Sequence, residues 1–272
     1  MIQNNPKDKL IVALDVYYAD RALELFEALR DHIAVFKIGM QLFSAAGPEI
    51  VRQIVSRGGR VFLDLKYHDI PNTVAAAGVE ATRLGVSIFN IHASGGSEMM
   101  KRTAEAVNET AAREKLTKPT ILGVTLLTSV DQETLRQIGI NDEPAMVVRS
   151  LALLAQTSGL DGVVASAQEI KIIRDAVPDS SFVIVTPGMR SAGAPADDQR
   201  RFMTVGEAIT ALQSSRDVEM VFYLYIVDAR RHLVGVISLR RLLLVSPETP
   251  LKRILTARWR RDRKSTRLNS SH

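Results

Sequence analysis

Acidic and basic side chains alternate along one short segment, Asp64-Leu65-Lys66-Tyr67-His68-Asp69, which follows the apolar residues 61–63. Residues two apart on a strand share a face, so a strand here would point Asp64 and Lys66 the same way. Lys37 stands in an earlier apolar run, and neighbouring strands lie about 5 Å apart, close enough for Lys37 to pair with Asp64. The spacing therefore predicts an array in which a carboxylate lies between two ammonium groups.

Such an array is costly inside a protein unless its charges neutralise one another. A structural salt-bridge cluster is one interpretation of it. Buried ion pairs are weak sources of stability, however, so several of them on adjacent strand ends favour a functional site. Asp15, at the end of another apolar run, adds a further carboxylate.

Six segments of the sequence, taken in order, resemble the orotidine 5′-phosphate decarboxylase family. The most distinctive is Asp64-Leu65-Lys66-Tyr67-His68-Asp69-Ile70-Pro71-Asn72-Thr73. The others are residues 13–16, 36–39, 127–129, 186–190 and 197–201. The likeness covers residues 8–211, about three quarters of the chain. It implies a cofactor-free carboxy-lyase that converts orotidine 5′-monophosphate to uridine 5′-monophosphate in pyrimidine synthesis.

The resemblance implies a role for each matching residue. Lys66 is expected to protonate C6 of the pyrimidine as carbon dioxide leaves, and Asp64 to lie beside the substrate carboxylate. Lys37 and Asp69 are expected to complete the array, with Asp69 supplied by the second subunit of a homodimer. The expected substrate contacts are Asp64 and Thr73, Asp15 and Lys37 at the ribose, Thr128 (with Thr125 as the alternative) at the pyrimidine edge, and Arg190 and Gln199 at the phosphate. No metal or organic cofactor is implied.

This chemistry suits the residue types. Loss of the carboxylate leaves a carbanion on an sp² carbon with no electron sink, and a fixed ammonium can stabilise that charge and then donate the proton. Asp64 would repel the substrate carboxylate, by about 4 kcal/mol for unit charges 4 Å apart at an effective dielectric of 20. Phosphate binding far from C6 would supply energy for orienting the base.

Several alternatives stay open at this point. Sugar-phosphate decarboxylases of the same superfamily share the D-x-K-x-x-D pattern but use magnesium, although residues 68–73 and 186–190 favour the orotidylate branch. His92 and Asn90, two apart near the end of an apolar run, either border the site or are structural. His68 is interpreted as a residue that orients its loop.

Seven apolar runs rich in Val, Ile and Leu must position these residues. Strands are predicted at residues 10–16, 35–40, 61–67, 88–92, 121–128, 162–166 and 182–188, and helices at 20–32, 144–157 and 167–176. Alternating strands and helices predict a parallel sheet with right-handed crossovers, which we interpret as an α/β fold of the TIM (β/α)₈ barrel type. An open doubly wound sheet is disfavoured because no Gly-rich dinucleotide loop follows the first strand.

The eighth strand of such a barrel is missing from the sequence pattern. After a helical pattern at 204–211 come the apolar runs 221–227 and 233–239, which predict an antiparallel hairpin. The family's eighth strand ends in a Gly-Arg pair whose arginine grips the phosphate, and no such pair follows Ala211. Residues after 211 resemble part of the CBS domain of MgtE-type magnesium transporters, and residues 262–272 resemble translated sequencing-adapter DNA.

We therefore interpret the chain as a chimera. Its predicted parts are a decarboxylase-like barrel at 1–211, a CBS-like fragment at 212–255 and a basic, disordered or artefactual tail at 256–272. On this interpretation the decarboxylase is impaired by its foreign C-terminus. The alternatives are a genuine fusion in which the hairpin regulates the barrel, and a non-catalytic fusion product with a binding-module remnant.

Composition limits the remaining functions. Residues 212–272 carry 13 Lys/Arg and 5 Asp/Glu, so the net charge of +5 belongs to this end of the chain. No nucleic-acid motif accompanies the basic residues, so neither nucleic acid nor membrane is expected as a partner. The absence of cysteine excludes thiol nucleophiles and disulfides. The apolar run 10–14 is too short for a signal peptide or a membrane span, which predicts a cytoplasmic protein.

Overall fold

The computed structural model describes residues 11–31 and 33–187, together with the backbone of residues 223–227 and 233–238. The chain divides into two compact units, Met1–Val218 and Glu219–His272. The domain boundary predicted between residues 211 and 212 lies outside the described residues and stays a prediction.

Seven parallel strands form the sheet of the first unit, in the order in which they follow one another along the chain. They are β1 (Ile11–Ala13), β2 (Val35–Gly39), β3 (Arg60–Tyr67), β4 (Ile88–His92), β5 (Thr120–Val124), β6 (Gly162–Val164) and β7 (Val183–Val185). A doubly wound sheet reverses its strand order at a switch point. The observed order excludes that alternative and confirms the predicted α/β fold of the TIM-barrel type.

Helices fill the connections between the strands. They are α1 (Ala19–Leu29), α2 (Met40–Ala46), α3 (Glu49–Ser56), α4 (Pro71–Arg83), α5 (Gly96–Glu114), α6 (Gln132–Gln137), α7 (Pro144–Thr157) and α8 (Ile170–Ala176). In α1, Ala22, Phe26 and Leu29 are buried because their spacing puts them on one face. Proline opens α4 and α7, at a position where the helix needs no N–H donor.

Side chains on the inner face of the sheet change from apolar to polar along the strands. A hydrophobic cluster takes residues from all seven strands: Ile11, Val35, Phe62, Ile88, Leu122, Val164, Val183 and Val185. Lys37, Asp64 and Asn90 lie two residues beyond members of this cluster and therefore on the same face. Alternate residues such as Phe36 and Leu63 are fully buried on the other face. The polar groups are thus positioned at the carboxyl-terminal ends of the strands.

Several strands end earlier than predicted. β1 ends at Ala13 rather than at residue 16, β5 at Val124 rather than at 128, and β7 at Val185 rather than at 188. The apolar sequence continues past these ends, but β6 has only three residues, and its pairing stops at Val124 on one side and Val185 on the other. As a result, Asp15 and Thr128 lie in the loops that follow their strands.

The second unit contains an antiparallel pair, β8 (Tyr223–Val227) and β9 (Leu233–Ser238), with Tyr223 opposite Ser238. This pair confirms the predicted hairpin. Residues 188–222, which include the predicted helix at 204–211, lie outside the described part of the chain, so the absence of an eighth barrel strand stays a prediction. Within the described residues, no helix is both long and apolar enough to cross a membrane.

Candidate active site

Four charged side chains meet at the carboxyl-terminal ends of the first three strands. Asp15 follows β1, Lys37 lies in β2, and Asp64 and Lys66 lie in β3. The parallel register sets Gly39, at the end of β2, beside Asp64 and so brings Lys37 within reach of that carboxylate. All four were predicted from the sequence as site residues.

The carboxylate of Asp64 lies between two ammonium groups. Its Oδ1 is 2.6 Å from Lys66 Nζ, and its Oδ2 is 3.5 Å from Lys37 Nζ. Lys37 Nζ also donates to Asp15 Oδ1 at 3.1 Å. The Asp64 side chain is 13% exposed and that of Asp15 is 66% exposed. The charges therefore alternate from a shielded centre to a solvent-exposed edge.

Asp64 keeps its negative charge in this setting. Burial raises the pKa of Asp64, but the hydrogen bond and charge of Lys66, the hydrogen bond of Asn90 and the charge of Lys37 together hold it below its ordinary value. The carboxylate is therefore ionised at neutral pH. An anionic group entering beside Lys66 would be attracted by the ammonium and repelled by Asp64.

Lys66 has an uncommon backbone conformation, with φ of 51° in the left-handed region. For a residue with a Cβ, this region costs about 1–2 kcal/mol. The pairing of β3 with β4 is irregular here: Leu63 lies beside Phe89 but Tyr67 beside Ile91, so β3 has two more residues than β4 between these pairs. Strain of this kind concentrates at functional sites, which favours a functional over a purely structural ion cluster.

Asn90, on β4, bonds to both Asp64 and Lys66, which form the shortest ion pair of the array. Its Nδ2 donates to Asp64 Oδ1 at 2.7 Å, and its Oδ1 accepts from the N–H of Lys66 at 2.8 Å. Its side chain is fully buried. The sequence left Asn90 undecided between a border residue and a structural one, and the only signal for it was its place two residues before His92 on an inward face.

Two histidines border the array. The rings of His68 and His92 stack, with centroids 5.2 Å apart and planes 29° apart. Burial, followed by the charges of His68 and Lys66, lowers the pKa of His92. The His92 ring is therefore neutral at neutral pH. The exposed His68 lies on the loop after β3, and its stacking on His92 can orient that loop.

The remaining predicted residues do not join the array. Asp69 is exposed, and its Oδ1 accepts a hydrogen bond from the N–H of Ile70 at 2.6 Å. Within the described residues, it makes no ion pair with either lysine of its own chain. Thr73 is exposed in the first turn of α4. Arg190 and Gln199 lie outside the described residues.

The two threonines considered for the pyrimidine edge differ in their surroundings. Thr128 is half-buried in the loop after β5. Thr125 is buried, and its hydroxyl donates to the carbonyl oxygen of Val164 at 3.0 Å. The hydroxyl of Thr125 is therefore engaged with the β6 backbone, which favours Thr128 for a substrate contact.

The arrangement suits proton transfer to an anionic ligand. Lys66 Nζ is held 2.6 Å from Asp64 and is still 24% exposed along its side chain, so a ligand can reach it. A fixed ammonium can stabilise negative charge as it develops and can then donate a proton. In the part of the chain that the structure describes, no group of three or more His, Cys, Asp or Glu side chains is placed to hold a metal ion.

Most of the chain is similar to one family of decarboxylases. The family model described as Orotidine 5'-phosphate decarboxylase / HUMPS family matches residues 8–214. The Orotidine 5'-phosphate decarboxylase of Syntrophotalea carbinolica is 53% identical over 205 residues, which are 75% of this chain and 84% of that protein. The protein of the same name from Moorella thermoacetica is 51% identical over 210 residues, 77% of this chain and 83% of that protein.

Solved structures are similar in fold. Orotidine 5'-phosphate decarboxylase from Lactobacillus acidophilus has a TM-score of 0.63 and 33% identity, and the match covers 74% of this chain and 85% of that one. Orotidine 5'-monophosphate decarboxylase from Methanocaldococcus jannaschii, complexed with the inhibitor BMP, has a TM-score of 0.53 and 23% identity, over 70% of this chain and 82% of that one. The second likeness supports the fold alone.

Proposed function

Because the chain belongs to the orotidine 5′-phosphate decarboxylase / HUMPS family, its function is the decarboxylation of orotidine 5′-monophosphate to uridine 5′-monophosphate, and we propose that Lys66 carries it as the proton donor. The reaction is that of a cofactor-independent carboxy-lyase. The observation behind the proposed role is the 2.6 Å contact between Lys66 Nζ and Asp64 Oδ1 at the open ends of the strands. Lys37 supports this pair from the other oxygen of Asp64.

The proposed step transfers one proton. The bond between C6 and the carboxyl carbon breaks, carbon dioxide leaves, and the electron pair stays on C6. Lys66 Nζ donates a proton to C6 and later regains one from solvent. Asp64 repels the substrate carboxylate, and that repulsion ends when the carboxylate becomes neutral carbon dioxide. Because Lys66 and Asp64 are already in place, little reorganisation is needed as charge develops on C6.

The other substrate contacts are proposed from the family resemblance. They are Asp15 and Lys37 at the ribose, Thr128 at the pyrimidine edge, Thr73 at the start of α4, and Arg190 and Gln199 at the phosphate. The ion pair between Lys37 and Asp15 supports the ribose assignment, since it lies at the exposed edge of the array. Binding energy from the phosphate would then orient the base against Lys66.

Decarboxylation should not depend on a divalent metal. We define the restored chain as residues 1–211 joined to the C-terminal part of the Syntrophotalea carbinolica decarboxylase. It should release carbon dioxide from carboxyl-labelled orotidine 5′-monophosphate at the same rate with and without EDTA, because Lys66 supplies the stabilising positive charge. A restored chain that is folded but releases no carbon dioxide contradicts the function. Loss of activity in EDTA with recovery in magnesium would contradict the metal-independent mechanism.

We also propose that the active form is a homodimer with shared sites. Asp69 is exposed on the loop after β3, and the adjoining Ile70 is an apolar side chain that is 67% exposed. Met40, which follows β2 at the same end of the sheet, is 56% exposed. Large apolar side chains beside a carboxylate that makes no ion pair within the described residues favour burial against a second copy of the chain. Asp69 of one subunit would then face Lys66 of the other.

Mixing two inactive variants of the restored chain should recover activity. In a hybrid of a Lys66→Ala subunit and an Asp69→Ala subunit, one of the two sites keeps both native residues. Random exchange should give about a quarter of the parent activity, since half of the dimers are hybrids with one intact site. Lys66→Ala mixed with the Lys66→Ala/Asp69→Ala double variant is the control, because no combination restores a site. No recovery after subunit exchange is verified by mass spectrometry counts against shared sites.

We propose further that the end of the chain is foreign to the barrel, with a CBS-like fragment at 212–255 and an adapter-like tail after it. The family match ends at residue 214. The antiparallel pairing of β8 with β9 also differs from the parallel order of β1 to β7. For the barrel, the proposed compartment is the cytoplasm.

A further inference from the structure

We infer that Asn90 is a positioning residue for this decarboxylation: its amide fixes the Asp64 carboxylate and holds the Lys66 backbone in the left-handed conformation from which the ammonium meets that carboxylate. The kinetic part of this inference rests on the proposed function. The geometric part rests on two hydrogen bonds, at 2.7 Å to Asp64 and at 2.8 Å from Lys66.

The bond from the Lys66 N–H to Asn90 satisfies a backbone donor where β3 is irregular. Between Leu63 and Tyr67, β3 leaves its regular register with β4, so the N–H of Lys66 needs an acceptor outside the regular ladder. A backbone donor without an acceptor would favour a different local conformation. The Asn90 Oδ1 atom is that acceptor, so it stabilises a conformation that a residue with a Cβ otherwise avoids.

The bond from Asn90 Nδ2 to Asp64 fixes the carboxylate. Asp64 Oδ1 accepts from both Asn90 Nδ2 and Lys66 Nζ, while Oδ2 faces Lys37 Nζ. Two donors on one oxygen prevent the carboxylate from rotating freely toward Lys37. Asn90 therefore sets the distance between the proton donor and the group that repels the substrate carboxylate.

An amide side chain meets both requirements at neutral pH. It must accept from a backbone N–H and donate to a carboxylate, and an Asn side chain has one group of each kind. Because Asn90 is fully buried, bulk water cannot replace it. The charged and titratable groups around the pair are Asp15 after β1, Lys37 on β2, and His92 two residues further along β4.

Kinetics of Asn90→Ala test the positioning role, with the full chain and the restored chain measured in parallel. We expect kcat to fall about a hundredfold, a loss that displacing a reacting group by about 1 Å can cause, and KM to stay within about threefold. The acid limb of the kcat profile should move to higher pH, since Asp64 loses a donor that lowers its pKa. Thr82→Val is the matched control, because this buried hydroxyl donates to Gly78 O within α4, away from the ion pair. Its kcat should be that of the parent.

Asn90→Asp separates positioning from simple packing. The new carboxylate can still accept from the Lys66 N–H, but at neutral pH it cannot donate to Asp64 and repels it. Protonation at lower pH restores the donor. The activity of Asn90→Asp relative to the parent should therefore rise as the pH falls, which a loss of packing alone would not produce.

A measurement without substrate keeps the inference separate from the proposed function. Acetic anhydride labelling of the full chain, read by mass spectrometry, should modify Lys66 faster in Asn90→Ala than in the parent, with the exposed Lys171 as internal reference. If neither the full chain nor the restored chain is active without a substitution, the proposed function is contradicted. The labelling alone then decides whether Asn90 positions Lys66. The inference is overturned if Asn90→Ala has the kcat of the parent and its Lys66 is labelled as slowly as in the parent. It is also overturned if Thr82→Val loses as much kcat as Asn90→Ala. If Asn90→Ala does not fold, the pH profile of Asn90→Asp decides.

Discussion

Replacing Lys66 with alanine should lower kcat/KM of the restored chain by at least about a thousandfold, because the proton donor and the cation that stabilises the carbanion are lost together. Most of the loss should appear in kcat, since the contact between the ammonium and C6 forms only as the carboxylate leaves. Release of labelled carbon dioxide from orotidine 5′-monophosphate measures both parameters.

The Lys66→Ala variant should still fold. Removing one partner of a buried ion pair costs about 3–5 kcal/mol when the other charge is left unpaired. Asp64 is not left unpaired, because Asn90 Nδ2 at 2.7 Å and Lys37 Nζ at 3.5 Å remain. The alanine at position 66 keeps the backbone N–H that bonds to Asn90. Circular dichroism and the thermal midpoint should therefore resemble those of the parent.

One further substitution at Lys66 separates its positive charge from proton donation, and one at a surface lysine serves as a control. Lys66→Arg keeps a positive charge, but a guanidinium has a much higher pKa than an ammonium and is a poor acid, so this variant should fold and remain strongly impaired. Lys171→Ala, on α8, removes a surface lysine that is 85% exposed and pairs with Asp175, so its activity should be unchanged. Activity of Lys66→Ala within about tenfold of the parent, roughly 1.4 kcal/mol, would contradict the role of Lys66.

The fold could be predicted because its strands are buried on both faces. The apolar runs at β2 and β4 identify them directly, and β4 occupies the predicted residues 88–92. Strand ends were harder to predict, since composition does not show where a neighbour stops. The sequence stays mostly apolar to Leu127, but β5 ends at Val124 because the neighbouring strand β6 ends opposite it.

The site could be predicted only in part. Spacing placed Asp64 and Lys66 on one face, and the structure has them in contact. That argument assumed a regular strand, whereas β3 is irregular between Leu63 and Tyr67. The irregularity depends on how β3 pairs with β4, which local sequence does not reveal. The role of Asn90 depends on the same irregularity, so spacing could not have identified it.

The chain of 272 residues should be a poorer enzyme than the restored chain, with kcat/KM lower by at least about tenfold. Within the described residues, β1 and β7 each pair with one neighbour. Open strand edges invite pairing with other chains, whereas a closed barrel has none. The sequence after Ala211 also lacks the Gly-Arg pair expected at the phosphate. A lost hydrogen bond to a charged group is worth about 1.5–3 kcal/mol, which already exceeds a tenfold effect.

Size-exclusion chromatography and steady-state kinetics of the 272-residue chain and the restored chain test this prediction together. The unaltered chain should give less soluble dimer, and the dimer that forms should have both a raised KM and a lowered kcat, because phosphate binding also supplies energy for orienting the base. A third protein that ends at Ala211 separates two causes. If the predicted lack of an eighth strand is the whole cause, the protein that ends at Ala211 should behave like the unaltered chain. If residues 212–272 interfere actively, the protein that ends at Ala211 should be the better enzyme of the two. A soluble unaltered dimer with kcat/KM within about tenfold of the restored chain would mean that residues 212–272 complete the enzyme, and the chimera interpretation would then be wrong.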